Sequence, residues 1–148
     1  MSTKVTDILN PRSAGLAVNW YPFNQAFPGN GRIGDVDGII ERNGHTLIIE
    51  VKTRGVRIPK GQKIMYESLR KQKNSVIILW YEPSQEELNW IDLDKVTYAE
   101  FTMFGGEWRH LTKGLTTEGL CTILRRWWRK AEEESWTKMM GVEPSESN

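Results

Sequence analysis

In GDVDGIIERNGHTLIIEVKT, residues 34–53, the carboxylates Asp35, Asp37 and Glu50 and the ammonium of Lys52 interrupt an apolar pattern. Asn43-Gly44 is the strongest short signal for a two-residue type I′ hairpin turn. Counting back from it pairs Arg42 with His45, Glu41 with Thr46 and Ile39 with Ile48. Asp37 then falls opposite Glu50, and Asp35 opposite Lys52. Side chains alternate along a strand, so Asp35, Asp37, Ile39, Ile48, Glu50 and Lys52 share one face. Val36, Ile40, Leu47, Ile49 and Val51 share the other, which reads as a core face. Directly opposed residues have Cβ atoms roughly 4.5–5.5 Å apart, and like charges there repel. Asp37 and Glu50 therefore require water, a proton or a cation. Paired carboxylates are hard oxygen ligands suited to Mg²⁺ or Mn²⁺. The competing reading makes them solvated strand charges, with Asp35–Lys52 a surface ion pair. A one-residue slip of register would scatter the set.

The elements that must hold these residues follow from periodicity. Two strands are expected over Ile33–Glu41 and His45–Lys52. A loop with Gly55 and Pro59 leads into a helix over Lys60–Lys73. SVIILWY, 75–81, is a continuous apolar run, as in a strand buried on both faces. PSQEELN, 83–89, reads as a loop or helical turn. Residues 95–103 and 107–112 form a second hairpin around Gly105-Gly106. Leu120, Ile123, Leu124, Trp127 and Ala131 recur at helical spacing, with Thr116 or Thr117 as N-cap and an end near Trp136. Residues 17–23 suggest a short edge strand within a Pro- and Gly-punctuated segment. Strand, helix and strand over 46–81 make a crossover, right-handed by rule. The expected fold is α/β: a mixed central β-sheet, antiparallel hairpin plus parallel crossover strand, flanked by helices. One domain covers residues 1–140 and a polar tail 141–148.

Asp37, Glu50-Val51-Lys52 at the next strand's end, and Gln62-x-x-x-Tyr66 in the following helix resemble the PD-(D/E)XK nuclease superfamily. The resemblance covers about residues 33–81 and implies a restriction-endonuclease-like core. Residues 1–31 hold no Glu and only Asp7 as an acid, so the early Glu-bearing helix of many members is short or missing here. The resemblance implies a Mg²⁺-dependent nuclease, with Mn²⁺ as substitute, similar to junction resolvases and other small phage or prokaryotic nucleases. DNA is the expected polymer. It implies Asp37, Glu50 and the Val51 carbonyl as metal ligands, and Lys52 as the group that orients water or contacts the scissile phosphate. Gln62 would hold that water or the phosphate. Tyr66, one turn later on the same helix face, packs on the substrate or simply in the core. Asp35 is best placed to hold Lys52 by a charge-assisted hydrogen bond. The rival is a non-catalytic nucleic-acid-binding or assembly module on the same fold.

Composition limits the remaining choices. The chain has 148 residues and a net charge of +1, so only the distribution of charge informs on a polyanionic partner. Arg54, Arg57, Lys60 and Lys63 gather beside the carboxylates and are candidates for nucleic-acid contact. Arg125, Arg126, Arg129 and Lys130 interleave with Trp127 and Trp128, where packing is favoured over nucleic-acid binding. Trp128 and Trp136 are candidates for a homodimer contact. His45 and His110 read as structural or solvated. Cys121 is the sole cysteine, which excludes an internal disulfide and a Cys-based zinc site. No apolar run approaches the ~20 residues of a membrane span, and the first residues lack a signal-peptide core. A cytoplasmic protein with no membrane partner is expected, in a bacterium or a phage-infected host cell.

Overall fold

Asn43 and Gly44 take φ of 54° and 84° in the computed structural model, the left-handed pair that a type I′ turn requires. The structure describes residues 21–29, 34, 36–82, 96–112 and 115–142. The turn joins β1 (Gly38–Arg42) to β2 (His45–Thr53). Their antiparallel ladder runs from Arg42↔His45 to Gly38↔Ile49, the register expected from the sequence. The strand is shorter than expected at its start, because Val36 and Asp37 lie outside it. Ile33 and Asp35 fall outside the described residues.

The chain then enters α2 (Lys60–Lys71) and returns as β3 (Ser75–Tyr81), parallel to β2. Lys73, at φ 64°, ends the helix two residues before the expected limit. Its N–H bonds the Arg70 carbonyl and the Asn74 N–H bonds that of Leu69, the paired bonds of a Schellman cap. Two further antiparallel strands, β4 (Val96–Thr102) and β5 (Arg109–Leu111), complete a sheet of order β1-β2-β3-β4-β5. The mixed α/β sheet with flanking helices agrees with the sequence reading. Where an edge strand was expected over residues 17–23, Tyr21–Asn24 forms one helical turn, α1, and the rest lies outside the described residues. Pro22 suits a first helical turn and cannot donate to a ladder. The 83–89 segment and the tail from 143 also lie outside them.

The two faces of the sheet are closed by different helices. Leu47, Ile77, Leu79 and Ala99 pack on α3 (Thr117–Glu133) through Leu120, Trp127 and Ala131. Val76, Ile78 and Trp80 pack on α2 through Tyr66. β3 lies between the two clusters, which explains its unbroken apolar run. The core face read from the sequence holds for β2 only: Val36 and Ile40 remain 41% and 42% exposed. Ile40 lies on the edge strand and Val36 just outside it, where cover is least. Among the described residues no helix is long and apolar enough to cross a membrane.

The last helix starts at the expected cap, with Thr116 Oγ1 accepting from the Gly119 N–H at 3.1 Å. It stops at Glu133, before the expected limit, and a separate turn, α4 (Trp136–Met139), follows. The hairpin takes the backbone groups at this break. The Glu134 carbonyl bonds His45 Nε2, and the Trp136 N–H bonds the Asn43 carbonyl at 3.1 Å. A Cβ on Gly44 would come within 3.0 Å of Trp136 Cβ. His45 is thus a buried structural group, and Trp127 is core, stacked on Phe104.

Ser75 links the core of this side. Its Oγ accepts from the Phe104 N–H and from Trp127 Nε1, each at 3.0 Å, and the residue is 1% exposed. Ser75→Ala leaves two buried donors unpaired. At ~1–3 kcal/mol for each unsatisfied group, a loss of about 2–6 kcal/mol is expected, less any relaxation. Urea unfolding checks it: the midpoint should fall with an unchanged slope. A loss under about 0.5 kcal/mol would contradict this role for Ser75.

Candidate active site

β2 carries two residues that its apolar surroundings do not ask for. Ile48, Glu50 and Lys52 alternate onto the α2 side, beside Val76, Ile78 and Trp80 of β3. The Glu50 side chain is only 5% exposed and that of Lys52 19%. A carboxylate so placed is costly unless it is paired or bonded. Lys52 Nζ lies 4.0 Å from Glu50 Oε2, a loose ion pair. The same nitrogen donates to Gln62 Oε1 at 2.7 Å, a normal hydrogen bond. Lys52 is therefore aimed by the first turn of α2, with Glu50 within electrostatic reach.

Asp37 reaches this site by leaving its strand. A regular ladder continued past Gly38↔Ile49 would pair Val51 with Val36 and bond their backbones. Instead, the Val51 N–H donates to Asp37 Oδ2 at 2.7 Å. The Asp37 carboxylate takes the bond that β1 no longer accepts. Asp37 thus sits at the sheet edge on Val51, outside the ladder that would have made it a regular cross-strand partner of Glu50. At this ladder position the Val51 carbonyl turns to the same edge as its N–H.

Tyr66 closes the cluster from α2. It is 2% exposed, and its hydroxyl makes a long 3.5 Å contact with Gln62 Oε1 one turn earlier. Burial of the phenol, then the charges of Glu50 and Asp37, pushes its pKa far above the ordinary tyrosine range. It remains a neutral donor. The sequence left Tyr66 between core and site; its ring is in the core and its hydroxyl faces the site.

The structure brings Asp37, Glu50, Val51, Lys52, Gln62 and Tyr66 together. Asp35, read as the partner of Lys52, lies outside the described residues; Gln62 holds Lys52. Arg57, Lys60 and Lys63 surround a cavity of ≈ 290 Å³ at the start of α2. Arg54 is nearby and exposed, but paired to Glu82 at 2.8 Å. The basic residues of α3 project from the other side of the sheet, with Lys130 over the Phe104 ring and Arg126 and Arg129 lining a separate cavity. Trp128 packs against Trp127 and lies under Arg42.

Sequence reasoning missed the β4–β5 wall of the same sheet face. Glu50, Ile78, Glu100 and His110 form one row across four strands. Lys52, Trp80 and Tyr98 form the next. Alternation in VTYAEFT puts Tyr98 and Glu100 on one face, a signal the sequence does contain. What it lacks is the pairing of β4 with β3, which needs the fold.

Asp37, Glu50 and the Val51 carbonyl provide hard oxygen donors of the kind Mg²⁺ and Mn²⁺ take. Among the described residues no group of three or more His, Cys, Asp or Glu side chains gathers as a metal cluster. The donor set fits such an ion only with the backbone carbonyl and water completing it.

A test separates a functional carboxylate from a structural one. Glu50→Gln is expected to leave stability in EDTA unchanged, or to raise it by up to about 1 kcal/mol, as for other strained functional groups. Mn²⁺ should raise the melting temperature of the native protein but not of this variant. A loss above about 2 kcal/mol in EDTA would mark Glu50 as a structural partner of Lys52.

Comparison with known proteins finds no matching family model, no similar curated protein and no similar solved structure.

Proposed function

We propose that the chain is a metal-dependent nuclease of the PD-(D/E)XK type, with a restriction-endonuclease-like core. One observation carries the reading: a buried carboxylate, Glu50, lies 4.0 Å from an ammonium, Lys52, that Gln62 aims. Gln62 thus fixes the ammonium beside the carboxylate it is paired with.

Asp37, Glu50 and the Val51 carbonyl would hold Mg²⁺, with Mn²⁺ as substitute. When bound, such an ion supplies charge stabilisation at a phosphate and acidifies water. The chain's own residues do the rest. Hydrolysis of a phosphodiester concentrates negative charge on the phosphoryl oxygens and on the leaving oxygen. Lys52 offers a fixed positive charge in a partly desolvated site, where it acts more strongly than in water. Gln62 keeps the Lys52 ammonium from turning away. Tyr66 offers a neutral donor that stays protonated throughout the working range. Arg57, Lys60 and Lys63 are exposed next to the site and suited to flanking phosphates.

The second reading is a nucleic-acid-binding module without catalysis. The bond from the Val51 N–H to Asp37 favours it, since it gives that carboxylate a structural role without a metal. Incubation with circular single-stranded, supercoiled and four-way-junction DNA, each with Mg²⁺, Mn²⁺ or EDTA, decides between the two. A cut circle requires endonuclease action. Lys52→Ala is expected to slow cleavage about 10²–10³-fold, as for loss of one stabilising donor. It should leave Mn²⁺ binding nearly intact, because an ammonium is no ligand. No cleavage of any substrate would favour the binding module; cleavage by Lys52→Ala at the native rate would overturn the role given to Lys52.

A further inference from the structure

Three cavities on the α2 side of the sheet share their walls. The largest, ≈ 610 Å³, has Trp80 and Tyr98 at its floor and Arg54 and Arg57 at its rim. The second, ≈ 300 Å³, runs from Tyr66 and Ile78 to Trp108 and His110. Glu100 lines both. The third, ≈ 290 Å³, meets the first at Arg57 and the second at Ile58 and Lys63. Together they form a groove that begins at Tyr66 of the candidate site.

We propose that this groove seats an unpaired nucleotide, which makes single-stranded nucleic acid the polymer that the chain binds. This deepens the nuclease reading and rests on it for the fate of the strand, not for the binding itself.

The floor supplies aromatic surface. Tyr98 lies between Trp80 of β3 and His110 of β5, one row over, with ring centroids 6.3 Å and 5.9 Å away. The Tyr98 hydroxyl meets Glu100 and His110 Nδ1, which fixes the ring. Aromatic floors bind bases through their faces, with little sequence preference. A duplex hides those faces in its stack, so only an unstacked base can reach a recessed ring.

The rim supplies charge complementary to phosphate. The Arg54 charge is met by Glu82, and that of Glu67 by Arg70 and the Trp108 indole N–H. Among the described residues, Arg57, Lys60 and Lys63 remain as cations at the rim, against Glu100 at the floor. A carboxylate there accepts from an exocyclic amine, which cytosine has and thymine lacks. Two inter-strand spacings separate Glu100 from Glu50 across β3, roughly 10 Å at ~4.8 Å each. A strand seated here therefore passes the candidate site.

Fluorescence anisotropy of labelled oligo-dC, oligo-dT and a duplex of equal length, all in EDTA, tests the proposal without any need for cleavage. Single strands should bind at least about tenfold more tightly than duplex, with oligo-dC ahead of oligo-dT. Tyr98→Ala should weaken binding about tenfold or more. Tyr98→Phe, which keeps the ring, should hold most of it. Arg57→Ala, an exposed change that spares the fold, should weaken binding and lower its salt dependence. Arg126→Ala, across the sheet, should change nothing. Equal or tighter duplex binding, or native affinity in both Tyr98→Ala and Arg57→Ala, would overturn the proposal. Binding that follows this pattern in a protein that cuts no DNA would overturn the nuclease reading alone.

Discussion

The placement of the Glu50 carboxylate on a covered sheet face governs what surrounds it. β2 could have carried an apolar residue there, between Ile48 and the side chains of β3. A charge in that position costs several kcal/mol unless its neighbours compensate. Lys52 supplies opposite charge at 4.0 Å, yet its hydrogen bond goes to Gln62. The start of α2 therefore has to lie over the end of β2, and the β2–α2 loop has to bring it there. Tyr66 follows from the same placement, one turn on.

Asp37 shows how a strand end becomes a site. β1 begins only at Gly38, leaving an N–H on Val51 that a side chain must meet. An aspartate does so, which holds its charge at the sheet edge beside Glu50. The bond alone would justify Asp37 as a cap on the ladder. The charge is what the cap does not explain, because a neutral acceptor such as Asn could satisfy the N–H. On the far side of β3, Tyr98, Glu100 and His110 continue the same face into a groove, so site and groove share one floor.

Much of this was legible in the sequence because one local signal set the register. Asn43-Gly44 admits few turns, and the alternation of side chains then placed Ile48, Glu50 and Lys52 on one face. The Gln62–Tyr66 spacing put both on one side of a helix, as found. What was not legible depends on tertiary context. The late start of β1 follows from a side chain taking a backbone bond, which no periodicity reveals. Exposure of Val36 and Ile40 follows from their place at the sheet edge. The break between α3 and α4 follows from His45 and Asn43, on the distant hairpin, claiming its backbone groups. Asp35 and most of residues 1–33 lie outside the described residues.

The central claim is that Asp37, Glu50 and the Val51 carbonyl form a divalent-cation site. Anomalous diffraction from crystals grown with Mn²⁺ tests it most directly. The account predicts an anomalous peak within about 2.0–2.4 Å of an oxygen of each group, the range for hard cations on oxygen ligands. It also predicts that Glu50→Gln abolishes the peak. A fully ordered site with no peak, or a peak held by other residues while Asp37 stays on Val51 and Glu50 on Lys52, would contradict it.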